Sequence, residues 1–243
     1  MLINSYRFGV TDPSFASVSL LLHGSGTDGS TTIIDSSPSP KTVTAVGNAQ
    51  ISTAIADPFG NNTRGVLLFD ATGDYLSVVS GTADFAFGTG DFTIELWLRL
   101  NAVVGTSSAL SLYDQRPQGV QNDSPVIYIQ NSTLGGGLTY YTGNANRIVG
   151  PALLANTWYF ITLSKATGNT RLFLNGTQFG STYVDTISYV NSANRPWIGG
   201  FSDNATPSTQ ATINGRICEL RVTKGVARYT ANFTPPTAPF PDS

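Results

Sequence analysis

The chain has 243 residues, of which 12% are charged, and a formal net charge of −2. Charged residues usually make up about a quarter of a chain, so no electrostatic grip on nucleic acid or on an anionic membrane is expected. The length suffices to bury a large core in one all-β domain, and 25 glycines and 13 prolines scattered at turn spacings fit many short strands.

Residues 1–16 read as an N-terminal arm closed by Asp12-Pro13, ahead of a domain over 17–243. Its aromatics Tyr6, Phe8 and Phe15 are candidate partner-binding residues, the alternative being that the arm packs back on its own domain. Residues 18–23 read as a strand. The following Gly24-Ser25-Gly26-Thr27-Asp28-Gly29 has the form of a dinucleotide fingerprint. The β-branched run after it, with Pro38 and Pro40, predicts no helix to hold a pyrophosphate, and nucleotide binding is not expected.

Residues 65–70 and 75–79 read as a strand pair hinged at 71–74. Over 92–100 the pattern alternates: Phe92, Ile94, Leu96, Leu98 and Leu100 face the core, and Thr93, Glu95, Trp97 and Arg99 a partly polar sheet surface. Further strands are predicted at 109–113, 126–130 and 138–141. Residues 158–181 read as three antiparallel strands joined at Gly168-Asn169 and at Asn175-Gly176, the latter supplying the two positive φ angles of a type I′ turn. Apolar residues nearly fill both faces of 159–164, which predicts a strand covered on both sides.

Strands at 195–200 and 213–223 complete the pattern. The single cysteine, Cys218, alternates with Leu220 and Val222 and reads as a buried structural thiol. The tail, FTPPTAPFPDS, is too proline-rich for regular structure. No long stretch carries helical periodicity, and neither a membrane span nor a secretory signal is expected. With one histidine, His23, there is no supported Ser-His-Asp or Cys-His arrangement and no zinc ligand set. His23 reads as a strand-end residue, and no catalytic residue is assigned.

Taken in order, FDATGDYLSV, DFTIELWLRL, NTWYFITLSK, TRLFLNGTQFGS, PWIGG and GRICELRVTKGVARYTANFTPP resemble the laminin G-like branch of the concanavalin A-like lectin/glucanase superfamily over residues 17–239. The resemblance implies a two-sheet antiparallel jelly-roll sandwich, with GVARY as a short turn of helix packed on it. The same sandwich hosts lectins, glycosidases, adhesion modules and virion components. Retaining glucanases of the superfamily place two carboxylates about 5 Å apart, whereas Glu95 and Glu219 stand alone on their strands, so hydrolase activity is not expected. The resemblance leaves room for a structural Ca²⁺ among Asp28, Asp35, Asp70 and Asp74; Cys218 stands where relatives carry an oxygen ligand, and turn capping by these aspartates is the alternative. No metal or other cofactor is assigned. Carbohydrate recognition points to Tyr140, Tyr141 and Trp197, with Asn144 and Asn146 nearby. Adjacent strand residues face opposite ways, so only one of the two tyrosines can point outward.

The closing KGVARYTANFTPPTAPFP is similar to the ends of such domains in bacteriophage virion proteins. It implies a non-enzymatic virion component, a capsid decoration or tail-fibre module assembled in the host cytoplasm. Its expected partners are other virion proteins and further copies of itself. A lectin-like adhesin binding a glycan is the alternative.

Overall fold

The computed structural model describes residues 11–71, 73–106, 109–117, 123–201 and 212–243. The first strands are β1 Val18–Leu22, β2 Thr32–Ile33, β3 Val43–Val46, β4 Gln50–Ser52, β5 Val66–Asp70 and β6 Tyr75–Val78. Then come β7 Phe92–Leu100, β8 Leu110–Asp114, β9 Val126–Ile129, β10 Gly137–Thr142 and β11 Ala145–Ala152. The last are β12 Trp158–Ala166, β13 Asn169–Leu174, β14 Thr177–Val184, β15 Trp197–Ile198 and β16 Asn214–Lys224. Helix among the described residues is confined to two 3-10 turns, Phe15–Ser17 and Ser132–Leu134.

The strands form two antiparallel sheets, as the alternating patterns predict. The first runs β14-β13-β12-β7-β16-β5-β4 with β1 also paired to β16, and the second runs β11-β10-β9-β8-β15-β6-β3-β2. Register explains the core. In the first sheet Leu172, Leu163, Ile94, Val222 and Leu20 lie side by side across five strands. In the second, Ala45, Leu76, Ile198, Tyr113, Ile127, Tyr140 and Ile148 do so across seven. Paired residues share a face of a pleated sheet, and both rows belong to one hydrophobic cluster between the layers.

Four local expectations are corrected. The turn at 71–74 does not join a hairpin: β5 pairs with β4 and β16, while β6 pairs with β3 and β15 in the other sheet. Ala71 and Gly73, at φ +72° and +84°, turn the chain from one layer into the other. The turn before β13 is Thr167-Gly168, at φ +45° and +73°, one residue earlier than expected. Asn175-Gly176, at +50° and +76°, is where the sequence puts it. In β16, Glu219 takes φ +49° at a bulge between Cys218 and Arg221, and the extra residue exchanges faces. Ile217 faces the core before the bulge, and Leu220 and Val222 after it. Cys218 therefore lies opposite Trp97 on the outer face, not beside Leu220 and Val222; it is nonetheless buried and free, and burial pushes its thiol well up. Finally, the GVARY segment forms a bend without helix.

The outer face of β7 is covered, where a partly polar surface was expected. Thr93 and Glu95 are fully buried, and the irregular tail crosses Phe160, which packs edge-on against Phe233 and Phe240. The expectation that β12 is covered on both faces is met by this strap. Beneath it lies a charge network. Glu95 accepts from Arg221 Nε at 2.8 Å, and Asp12 accepts from Arg221 Nη1 at 3.0 Å and from Arg228 Nη2 at 2.6 Å. Burial alone would raise the Asp12 carboxyl, but the hydrogen bonds from Arg228 and the Ser14 N–H and both guanidinium charges hold it below its ordinary value. Phe15 packs on the cluster of Val18, Leu21, Phe160 and Phe240. The arm is thus seated on the sandwich from Asp12 onward, so of its three aromatics Phe15 is taken up by the chain's own packing. Tyr6 and Phe8 lie outside the described residues.

Candidate functional site: the outer face of the second sheet

A second row runs across all eight strands of the second sheet: Asn146, Tyr141, Val126, Asp114, Trp197, Ser77, Thr44 and Thr32. It faces away from the core. On β8 the outward residues Ser111 and Asp114 are three apart because a bulge before Tyr113 tucks both Leu112 and Tyr113 inward. The next row adds Ser111, Tyr128, Thr139 and Val149.

Asp114 anchors this face. Its Oδ1 accepts from Arg116 Nε at 2.9 Å and from the Arg116 backbone N–H at 3.0 Å, and its Oδ2 accepts from Arg116 Nη2 at 2.7 Å. Such a two-pronged pair fixes a guanidinium in orientation as well as position. Both side chains are buried. The guanidinium carbon lies 5.6 Å from the Tyr141 ring centre and 5.4 Å from that of Phe201, within cation–π range. Tyr128 closes the group, with ring centres 5.7 Å from Phe201 and 6.4 Å from Tyr141. Its hydroxyl donates to Asn146 Oδ1 at 2.8 Å, leaving the Asn146 amide nitrogen on the exposed side. Tyr128, Tyr141 and Phe201 are each half-buried.

Trp197 forms the floor next door. Its ring lies 4.4 Å from Tyr75 and 4.2 Å beneath the Arg195 guanidinium, whose Nε donates to the Arg116 carbonyl at 2.6 Å. Burial lowers the Arg195 pKa, against the pull of Asp114. Trp197 Nε1 and Ser111 Oγ are buried and have no hydrogen-bond partner among the described residues. The half-exposed rings and the exposed Asn146 amide can stack on and hydrogen-bond to a ligand, while the buried charge pair holds the rings in place.

Of the sequence candidates, Tyr141 lies on this face. Tyr140 does not: it is fully buried, bonded through its hydroxyl to Tyr189, and burial pushes its phenol well up. Its neighbours in register are Ile127 and Ile148, so pairing commits it to the core. Trp197 faces the site, yet at 6% exposure it supports the platform and is not an exposed ring. Asn144, at φ +59°, forms the β10–β11 turn. Sequence reasoning missed Asp114, Arg116, Tyr128 and Phe201. The usable signal was Asp114-Gln115-Arg116, opposite charges two apart where a strand ends; nothing local joins Phe201 to it.

The glutamates do not form a catalytic pair in an open cleft. Glu95 is enclosed under the strap, and Glu219, 3% exposed, accepts from His23 Nδ1 at 2.8 Å while His23 Nε2 meets Asp242 at 2.6 Å. Of the four aspartates considered for Ca²⁺, three accept backbone N–H groups and Asp70 accepts from the Asn48 side-chain amide. Asp35 accepts from Leu21, Ser37 and Lys41 N–H groups, Asp28 from Thr53, and Asp74 from Asn48 and Asp70. Burial, with the nearby Asp70 carboxylate, raises Asp74. Among the described residues no group of three or more His, Cys, Asp or Glu side chains is arranged to hold a metal ion.

Comparison with known proteins follows the fold. Residues 70–228 match a laminin G family of the concanavalin A-like lectin/glucanases superfamily. The chain belongs to this superfamily. No curated protein matches significantly. Among solved structures, the binding domain of botulinum neurotoxin DC, in complex with rat synaptotagmin II, superposes with a TM-score of 0.59 at 19% identity, covering 86% of this chain and 48% of that one. The botulinum neurotoxin serotype C1 binding domain gives 0.60 at 17%, covering 86% and 49%. This chain spans about half the length of those structures, and identity this low shows a shared fold alone. Within the concanavalin A-like sandwich, then, the described residues of this chain place a group of polar and aromatic side chains on the outer face of the second sheet.

Proposed function

We propose that the protein is a non-enzymatic, lectin-like module that binds a glycan on the outer face of its second sheet. The observation that carries this reading is the half-exposed group of Tyr128, Tyr141 and Phe201, held by the buried Asp114–Arg116 pair beside the Asn146 amide. Aromatic rings offer stacking surface to the C–H faces of sugars, and amides fix orientation. The enclosure of Glu95 and Glu219 supports a binding role over hydrolysis. A glycan array probed with the purified protein should give binding that falls about tenfold or more in Tyr128→Ala and Tyr141→Ala. Binding unchanged in both folded variants would place the ligand elsewhere.

For the biological setting we propose display on a bacteriophage particle. The resemblance of the closing segment supports this reading, and that segment lies across the first sheet at Phe160. Attachment to other virion proteins or to further copies would then use the arm, with Tyr6 and Phe8 as contact residues. Absence of the protein from purified particles, by mass spectrometry, would overturn this setting without touching the glycan reading.

A further inference from the structure

From the charge balance of the second sheet's outer face we infer that its ligand is a neutral glycan, one that presents an apolar pyranose face, in preference to a sialylated, uronic or sulfated one. This inference rests on the glycan-binding reading and narrows it.

Among the described residues Arg116 is the cation seated against Tyr141 and Phe201, and its charge is already matched. Asp114 meets it through two side-chain bonds of 2.9 and 2.7 Å, and the two side chains are 3% and 0% exposed. The rings of Tyr141 and Phe201 flank the guanidinium. An anionic sugar would have to displace a ring to reach it, and would then set its carboxylate or sulfate beside Asp114, a like charge in a water-poor place. Arg195 is no better placed: it is 5% exposed, donates to the Arg116 and Asn194 carbonyls, and stacks on Trp197. Arg147, near the β10–β11 turn, donates to the Thr142 and Gly143 carbonyls and stacks on Tyr183. By sequence, residues 118–122 and 202–211 contain neither Lys nor Arg.

Along the two outer-facing rows of the second sheet, the solvent-exposed side chains among the described residues are uncharged. They include the half-exposed rings, the Asn146 amide, and the hydroxyls of Thr44 and Thr32 further along the row. Recognition by stacking and neutral hydrogen bonds is insensitive to salt, whereas capture of an anion by a cationic face weakens as salt screens it.

The test measures binding of galactose- and N-acetylglucosamine-based neutral oligosaccharides against sialylated and sulfated forms of the same chains, at about 0.05 M and about 0.5 M NaCl. Neutral chains should bind with affinity changing less than about two-fold with salt. That binding should fall in Tyr141→Ala and, as a variant on an exposed side chain that leaves the core intact, in Asn146→Ala. Preferential binding of the acidic forms, steeply weakened by salt and still lost in Tyr141→Ala, would overturn the neutral-ligand inference and leave the glycan face standing. No binding by either set would overturn both.

Discussion

His23 Nδ1 lies 2.8 Å from Glu219 Oε2, a contact that joins the end of β1 to the bulge of β16 across 196 residues of sequence. The other ring nitrogen meets Asp242, and Glu219 also accepts from the Phe240 backbone N–H at 2.9 Å, so one histidine ties the proline-rich strap to the first sheet. With a carboxylate at each nitrogen, the ring is held as a donor at both positions, which requires the imidazolium.

This geometry makes the strap's attachment pH-dependent. Burial opposes the charged ring, but hydrogen bonds and charge from Glu219 and Asp242 outweigh it and raise the pKa above 6.5. A raised folded-state pKa stabilises fully below the unfolded value and is lost as pH rises through the folded one. Melting temperature should therefore fall as pH increases above about 6.5, and His23→Gln should flatten that slope. The same slope in both proteins would show that another group is titrating.

Asp12 is expected to matter more than its place near the chain's start suggests. Its carboxylate serves both Arg221 and Arg228, and removing one partner from a buried ion network leaves uncompensated charge at a cost of about 3 kcal/mol. Asp12→Ala should lose about that much in urea unfolding. A chain beginning at Thr11 should keep the clamp, whereas one beginning at Ser17 loses Asp12 and Phe15 together. Equal stability of those two truncations would contradict this account.

Strands β7 and β12 were legible because each is long and its apolar residues repeat at the strand period, and Asn175-Gly176 marked its turn outright. Strands β2, β3 and β4, two to four residues long, were not. They are too short to show a period, and pairing with β6 and β5 defines them. β11 was missed because ANRIVGPA mixes polar and apolar residues without alternation. The Glu219 bulge defeats alternation by its nature, which is why Cys218 was put on the wrong face. At the site, parity correctly required that Tyr140 and Tyr141 diverge; which one faces outward follows from the register with β9, a long-range fact. Phe201 joins Tyr128 only through the sheet order that sets β15 beside β8.

Leu96 and Leu163 are both fully buried in the core, on the inward faces of neighbouring strands. Replacing either with Ala should cost about 2 to 5 kcal/mol, read from chemical denaturation at constant slope. A loss below about 0.5 kcal/mol, the scale of an ordinary surface substitution, would mean that the strand's inward face had been misassigned.

The turn at Asn175-Gly176 has a second duty that its sequence conceals. Gly176 has φ +76°, and a Cβ there would stand 1.9 Å from the Phe233 carbonyl oxygen and 2.9 Å from its carbonyl carbon. The Gly176 carbonyl accepts the Phe233 N–H at 2.9 Å, which sets the Phe233 ring against Phe173 and Tyr229. Gly60 offers the control, with φ +82° and nothing within 4 Å of an added Cβ. Gly60→Ala should therefore cost only the left-handed backbone penalty of about 1 to 2 kcal/mol. Gly176→Ala adds displacement of the strap, and should exceed the control by about 2 kcal/mol, within the range of a severe steric change. In a chain ending at Asn232 the clash has no partner, so the two substitutions should converge although the parent is weaker. A Gly176→Ala penalty that matches Gly60→Ala in the full chain would show that the strap does not rest on this turn.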